Sequence, residues 1–190
     1  MPAVLLDRDG VINENRDSYV TRWQDFRFLP GSLEAMAALR SLGLRLAVVT
    51  NQSAVGRGLL TRQELDEIHR RMQAECASRG AAIEGVFACL HAPWDGCDCR
   101  KPRPGLLLSA MAELGEPPEA CVAIGDSLGD LQAAEAVGLP FVLVRTGLGK
   151  ETLCCLEPSQ HPMLLIAQDL WEAHQALRTY FKQIVGLKTA

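Results

Sequence analysis

The sequence has no apolar run long enough to span a bilayer and no block of a single charge sign. This sets aside a membrane-crossing segment and a charged interaction tail. The chain is not basic: 19 lysines and arginines face 23 aspartates and glutamates, a formal net charge of −4. General nucleic-acid binders carry a basic face, and no interleaved basic and aromatic surface is visible here. The opening "MPAVLLDRDG" lacks a basic n-region, and Asp7 interrupts its apolar stretch, so it does not read as a secretory signal. The expected location is the cytoplasm. Internal repeats and low-complexity tracts are absent, and without a heptad pattern or a long exposed apolar stripe the plain expectation is a monomer. The seven cysteines are an odd count for a disulfide framework, which leaves reduced thiols or metal ligands as the better reading.

What is present is ordinary for a globular chain: 190 residues, 48% hydrophobic and 22% charged. That length suits one domain, residues 1–190, able to bury a substantial core. Short apolar runs recur as "AVLLD" (3–7), "RLAVVTN" (45–51), "GVFACLH" (85–91), "CVAIGD" (121–126) and "FVLVRT" (141–146). Helical patterns fall between them at 31–43, at 61–80 with Thr61 and Glu64 spaced as a capping box, and in "RPGLLLSAMAELG" and "LGDLQAAEAVG". A last helix is expected over 169–183. Continuous apolar strands alternating with amphipathic helices predict an α/β fold, a doubly wound parallel sheet covered on both faces. No substantial cap domain is expected, because the segment after the first strand is short and the connection between the second and third strands is largely one helix.

Open parallel sheets bind ligands beyond the C-terminal strand ends, near the switch in strand order. The first strand runs into Asp7-Arg8-Asp9-Gly10, the second into Thr50-Asn51-Gln52-Ser53 and the fourth into Gly125-Asp126-Ser127, with Asp130 shortly after. Aspartates around one pocket need a cation, and carboxylate oxygens suit Mg²⁺, which also engages phosphate. An aspartate can attack phosphorus and divide hydrolysis into two steps. A second carboxylate two residues on can protonate the leaving oxygen and then activate water. The Thr50 hydroxyl and the Lys101 ammonium would neutralise the phosphoryl oxygens during transfer. Each signal is weak alone; in order, each after its own strand, they predict a catalytic constellation.

Cys89-x-His91, then Cys97-x-Cys99, makes a Cys₃His set with no open position, the donor set of structural zinc. Arg100 and Lys101 follow at once, so a metal-stapled loop would aim two cations at the pocket. Cys76 and Cys121 fall in apolar patterns and read as core thiols. Cys154-Cys155 with His161 fits no common metal spacing, and His69 and His174 read as ordinary helix residues. Trp23 lies either beside a substrate loop or over the core.

"LLDRDGVIN", "VVTNQS", "CRKPRPG" and "IGDSLGDLQAA" together resemble the motifs of the haloacid-dehalogenase superfamily of phosphatases. "TNQSAVGRGLLT", the cysteine loop joined to Arg-Lys-Pro, and "VLVRTGLG" are similar to its branch of heptose-bisphosphate and histidinol-phosphate phosphatases. The resemblance implies Asp7 as nucleophile and Asp9 as general acid/base. It implies Mg²⁺ on Asp7, the Asp9 carbonyl and Asp126, and structural Zn²⁺ on Cys89, His91, Cys97 and Cys99. Thr50 and Lys101 would stabilise the phosphoryl group, with Asp130 orienting the lysine. Asn51, Gln52, Ser53, Arg100 and the loop 15–19, with Asn15 and Tyr19, match substrate-contacting positions. The implied substrate is a small phosphorylated sugar, a heptose 1,7-bisphosphate losing its 7-phosphate on the way to lipopolysaccharide precursors. Histidinol phosphate is the alternative substrate, and a catalytically silent zinc-stabilised binding protein the alternative of another class. A distal phosphate needs its own cations, and Arg57, Arg100 and Arg103 are near in sequence.

Overall fold

The computed structural model describes the backbone of residues 1–184 and the side chains of residues 1–181. The apolar runs become β1 (Ala3–Leu6), β2 (Arg45–Asn51), β3 (Gly85–Cys89), β4 (Cys121–Gly125) and β5 (Phe141–Val144), and β6 (Leu164–Ala167) joins them at the edge. All neighbours pair parallel in the order β3-β2-β1-β4-β5-β6. The strand order therefore reverses between β1 and β4, and a crevice opens at their C-terminal ends.

Among the described residues, α1 (Ser32–Ser41), α2 (Ser53–Gly56), α3 (Arg62–Ser78), α4 (Gly105–Leu114), α5 (Leu128–Glu135) and α6 (Gly149–Cys154) lie on the connections, and α7 (Leu170–Ile184) follows the last strand. Alternation along the strands divides the core in two. Val4, Leu6, Leu46, Val48, Val122 and Ile124 pack with residues of α1, α3 and α7 on one face. Ala3, Leu5, Ala47, Val49, Cys121 and Ala123 pack with α4 and α5 on the other. Each fully buried leucine on the central strands contributes about 1.5–3 kcal/mol, which fixes the register and with it the alignment of the strand ends.

Two capping boxes set helix starts. Thr61 and Glu64 make the one foreseen for α3. A second, between Ser127 and Asp130, starts α5 and draws the Asp130 carboxylate back over the end of β4.

Several boundaries differ from the sequence reading. The strand expected over 85–91 stops at Cys89, and that expected over 141–146 stops at Val144. The edge strand β6 was not anticipated, because Leu165 and Ile166 face outward and no buried-strand pattern separates them from the helix beyond. Neither was α6, whose glycine, threonine and cysteine are weak helix formers. Trp23 stacks on Phe26 at 5.1 Å and meets Phe28 edge-on, so it covers the core beneath the β1–α1 connection. Among the described residues no helix is long and apolar enough to cross a membrane.

Candidate active site

Register places the polar residues. Leu6 lies opposite both Val48 and Ile124, so Asp7, Thr50 and Asp126 emerge at one edge of the sheet. They line a cavity of about 300 Å³, the size of a small-ligand site. Asn15, Tyr19, Asn51, Gln52, Ser53, Arg57, Arg100, Lys101 and Asp130 line it too, so the predicted residues do converge.

Lys101 is buried and spends its ammonium on three acceptors: Asp7 Oδ1 at 2.8 Å, Asp130 Oδ1 at 2.5 Å and the Val49 carbonyl at 2.7 Å. Burial alone would lower its pKa, but Asp130 and Asp7 outweigh that and hold the ammonium above its ordinary value. Its backbone is fixed by a reciprocal pair: Asn51 Nδ2 donates to the Lys101 carbonyl, and the Lys101 N–H donates to Asn51 Oδ1, both at 3.1 Å. Asn51, expected against substrate, thus braces the lysine.

Asp7, Asp126 and Asp130 offer carboxylate oxygens within 4.8 Å of one another. Burial, opposed by Lys101 and reinforced by Asp130 and Asp9, pushes Asp7 up to about 6. Burial, then the charges of Asp7 and Asp130, push Asp126 up to about 8. One lysine does not neutralise this cluster, and a hard divalent cation on oxygen ligands would. The backbone packs closely against the Asp126 carboxylate and holds it in place. A Cβ at Gly10 or Gly147 would fall 1.9 Å or 2.0 Å from Asp126 Oδ2, so only glycine lets the two loops close on that carboxylate. Gly10 has φ +83° and Gly147 φ +55°, a second reason for glycine at both. The residues therefore fit Mg²⁺.

Asp9 behaves differently. Its carboxylate turns away from the trio and accepts from Arg8 Nη2 at 2.9 Å, Asn13 Nδ2 at 2.9 Å and Gln52 Nε2 at 2.8 Å. Burial raises its pKa, but the Arg8 charge and these donors win and hold it below the ordinary carboxylate range. Only its main-chain carbonyl, as the sequence reading had it, remains for a metal. Gln52 also donates to Thr50 Oγ1 at 2.9 Å, tying the β2 end to Asp9. Sequence reasoning missed what stands behind Asp9: the buried Arg8 also contacts His69 Nε2 at 3.1 Å. The available signal was a histidine in the apolar stripe Leu65, Ile68, Met72, Cys76 of α3.

The cysteine loop closes as its spacing predicts. Donor atoms of Cys89, His91, Cys97 and Cys99 all lie within 4.8 Å of one another. Sγ–Sγ and Sγ–Nδ1 separations of 3.3–3.6 Å are near the edge of a tetrahedron built on Zn–S bonds of ~2.3 Å. Cys89 is the last residue of β3, so the cluster hangs from the sheet, and Arg100 and Lys101 follow it directly. Arg103 donates to the Gly96 and Cys97 carbonyls and braces this loop instead of entering the cavity. Cys154 and Cys155 are exposed, and His161 pairs with Glu135 at 2.5 Å; among the described residues they form no metal group.

A doubly wound sheet with carboxylates and a lysine gathered at the switch between β1 and β4 defines a haloacid-dehalogenase-type hydrolase, and the HAD-hydrolase-like family matches residues 98–173. Full-length relatives narrow this. The D-glycero-beta-D-manno-heptose-1,7-bisphosphate 7-phosphatase of Pseudomonas putida is 42% identical over 153 residues, 80% of this chain and 87% of that protein. The protein of the same name from Escherichia coli K12 is 41% identical over 155 residues, 77% of this chain and 81% of that one. The crystal structure of D,D-heptose 1,7-bisphosphate phosphatase from B. bronchiseptica, complexed with magnesium and phosphate, superposes with a TM-score of 0.88 at 36% identity. It covers 95% of this chain and 99% of that one. The chain belongs to the heptose-bisphosphate phosphatase family of the haloacid-dehalogenase superfamily.

Proposed function

We propose that this chain removes the 7-phosphate of D-glycero-β-D-manno-heptose 1,7-bisphosphate, a step toward nucleotide-heptose and lipopolysaccharide precursors. The observation that carries the reading is an intact site inside a near full-length match: Asp7, Asp9, Thr50, Lys101 and Asp126 line one cavity. The β-anomer is that of the Pseudomonas putida and Escherichia coli relatives.

Asp7, at the end of β1, attacks phosphorus; the bond from phosphorus to the C7 oxygen breaks and an aspartyl-phosphate forms. Asp9 gives its proton to the departing oxygen. The donors from Arg8, Asn13 and Gln52 favour its carboxylate in the free site; the arriving phosphate charge raises its proton affinity, and Asp9 takes that proton up from solvent as substrate binds. Water then attacks the phosphoryl group while Asp9 takes back a proton, releasing phosphate and restoring Asp7. Lys101 and Thr50 hold the phosphoryl oxygens, and Asp130 orients the lysine from the other side. Asp7, the Asp9 carbonyl and Asp126 would hold Mg²⁺, which, when bound, neutralises phosphoryl charge and lowers the repulsion among the carboxylates.

We read Cys89, His91, Cys97 and Cys99 as a structural Zn²⁺ site that fixes the backbone immediately before Arg100 and Lys101. Asn51, Gln52, Ser53, Arg100, Asn15 and Tyr19 supply substrate contacts, and the amides of Asn51 and Gln52 also brace Lys101 and Asp9. Residues 1–190 act as one domain, a monomeric cytoplasmic enzyme with no nucleic-acid partner, consistent with the net charge of −4.

The test is phosphate release with Mg²⁺ from both anomers of the heptose bisphosphate and from histidinol phosphate at matched concentrations. A kcat/KM advantage for the β-heptose bisphosphate is expected. A preference for histidinol phosphate would keep the chemistry and move the enzyme to histidine synthesis.

A further inference from the structure

The cavity holds more cations than the reacting phosphoryl group uses. Five basic side chains line it: Arg8, Arg16, Arg57, Arg100 and Lys101. Arg8 is spent on Asp9, Lys101 on Asp7 and Asp130, and Arg16 faces Asp25. Arg57 and Arg100 pair with no carboxylate among the described residues. Arg100 is already assigned to substrate and Arg103 braces the cysteine loop, so of the three arginines near in sequence Arg57 is left without a role.

The surroundings of Arg57 are specific. Its guanidinium carbon sits over the Trp94 ring, 5.0 Å from the centroid. Trp94 lies between His91 and Cys97 in the cysteine loop and is 69% exposed, a large ring with no place in the core. The two residues are brought together by backbone. A Cβ on Gly56 would meet the Ala92 nitrogen at 2.3 Å and the Leu90 carbonyl oxygen at 2.7 Å, so α2 rests directly on the loop. Arg57 follows Gly56 and Trp94 follows Ala92 by two residues, so both extend from the same contact. An arginine stacked on an indole loses side-chain freedom yet keeps its edge N–H groups available, and that edge matches a phosphate in a two-point contact.

We propose that Arg57, held on Trp94, receives the second, unreacting phosphate of the substrate and sets the preference for a bisphosphate over a monophosphate. This rests on the heptose-bisphosphate reading above. Arg57 is a specificity residue, and Trp94 a positioning residue acting through it. The cysteine loop then serves the site twice, placing Lys101 at the reacting phosphorus and Arg57 at the remote one.

The experiment compares kcat and KM for heptose 1,7-bisphosphate and heptose 7-phosphate in the wild type, Arg57→Met, Trp94→Ala, Trp94→Phe and the Arg57→Met/Trp94→Ala double variant. Loss of a charged two-point phosphate contact should raise KM for the bisphosphate about tenfold or more in Arg57→Met, with kcat within about twofold. The bisphosphate-to-monophosphate ratio of kcat/KM falls by the same factor. Trp94→Ala should produce a smaller change of the same sign, Trp94→Phe should restore most of it, and the double variant should be no worse than Arg57→Met. A ratio unchanged in Arg57→Met, or an equal loss on both substrates, overturns the assignment of Arg57. A wild type with no preference for the heptose bisphosphate overturns the underlying functional reading instead.

Discussion

Lys101 Nζ lies 2.8 Å from Asp7 Oδ1 although 94 residues separate them in the chain. The contact joins the end of β1 to the loop after β3 and makes the lysine a structural counter-ion, beside the phosphoryl-binding role proposed for it above. Lys101→Met should therefore damage both properties. It leaves Asp7 and Asp130 buried without their cation, which costs roughly 3–5 kcal/mol. Turnover should fall about 10²–10³-fold. Denaturant titration and steady-state kinetics on the same preparation check the pair; stability retained without the lysine would contradict its counter-ion role.

Gly10→Ala tests the metal cradle. The added Cβ would collide with Asp126 Oδ2 at a φ of +83°, forcing the carboxylate or the loop out of place. Calorimetric titration should show Mg²⁺ affinity reduced by about tenfold or more. Wild-type affinity in a folded Gly10→Ala protein would place the ion elsewhere.

For the cysteine loop, elemental analysis should find one zinc per chain, lost in Cys97→Ser. Because the loop positions Lys101, the variant should also lose at least about tenfold in kcat/KM while still binding Mg²⁺. A metal-free Cys97→Ser protein with full activity would separate the cluster from catalysis, and a wild type without zinc would reduce it to packed thiols.

His69 carries a pH signature of stability. Burial, with the Arg8 charge adding to it, pushes its pKa from 6.5 down to about 3. Between those values the unfolded chain binds a proton that the folded chain does not. The contribution of the neutral imidazole is complete above pH 6.5 and is lost as pH falls toward 3, at up to about 1.4 kcal/mol per pH unit. His69→Gln keeps an acceptor for Arg8 and does not titrate. The stability difference between wild type and variant, from denaturant curves at pH 7.5 and 5, should shift against the wild type at the lower pH; parallel behaviour would mean the imidazole is not buried neutral.

Much of this site was legible because its residues follow strand ends, where β-sheet register turns sequence order into spatial neighbourhood. Asp7, Thr50 and Asp126 needed only the strands to be recognised, and the cysteine spacing is local. What escaped depends on side-chain direction. Asn51 and Gln52, expected against substrate, do line the cavity, but their second task, holding Lys101 and Asp9 with their amides, could not be read. His69 and Trp94 reach their arginines across tertiary contacts that no periodicity encodes. In the fold, the exposed edge strand β6 and the weak helix former α6 gave no pattern to read.

The central claim, hydrolysis at C7 through Asp7, is tested most directly by following heptose 1,7-bisphosphate with ³¹P NMR in the presence of Mg²⁺. The account predicts that the wild type releases one phosphate and leaves the C1 phosphate in place, and that Asp7→Asn, folded and thermally stable, loses at least about 10³-fold in rate. Release from C1, release of both phosphates, or full turnover by Asp7→Asn would contradict it.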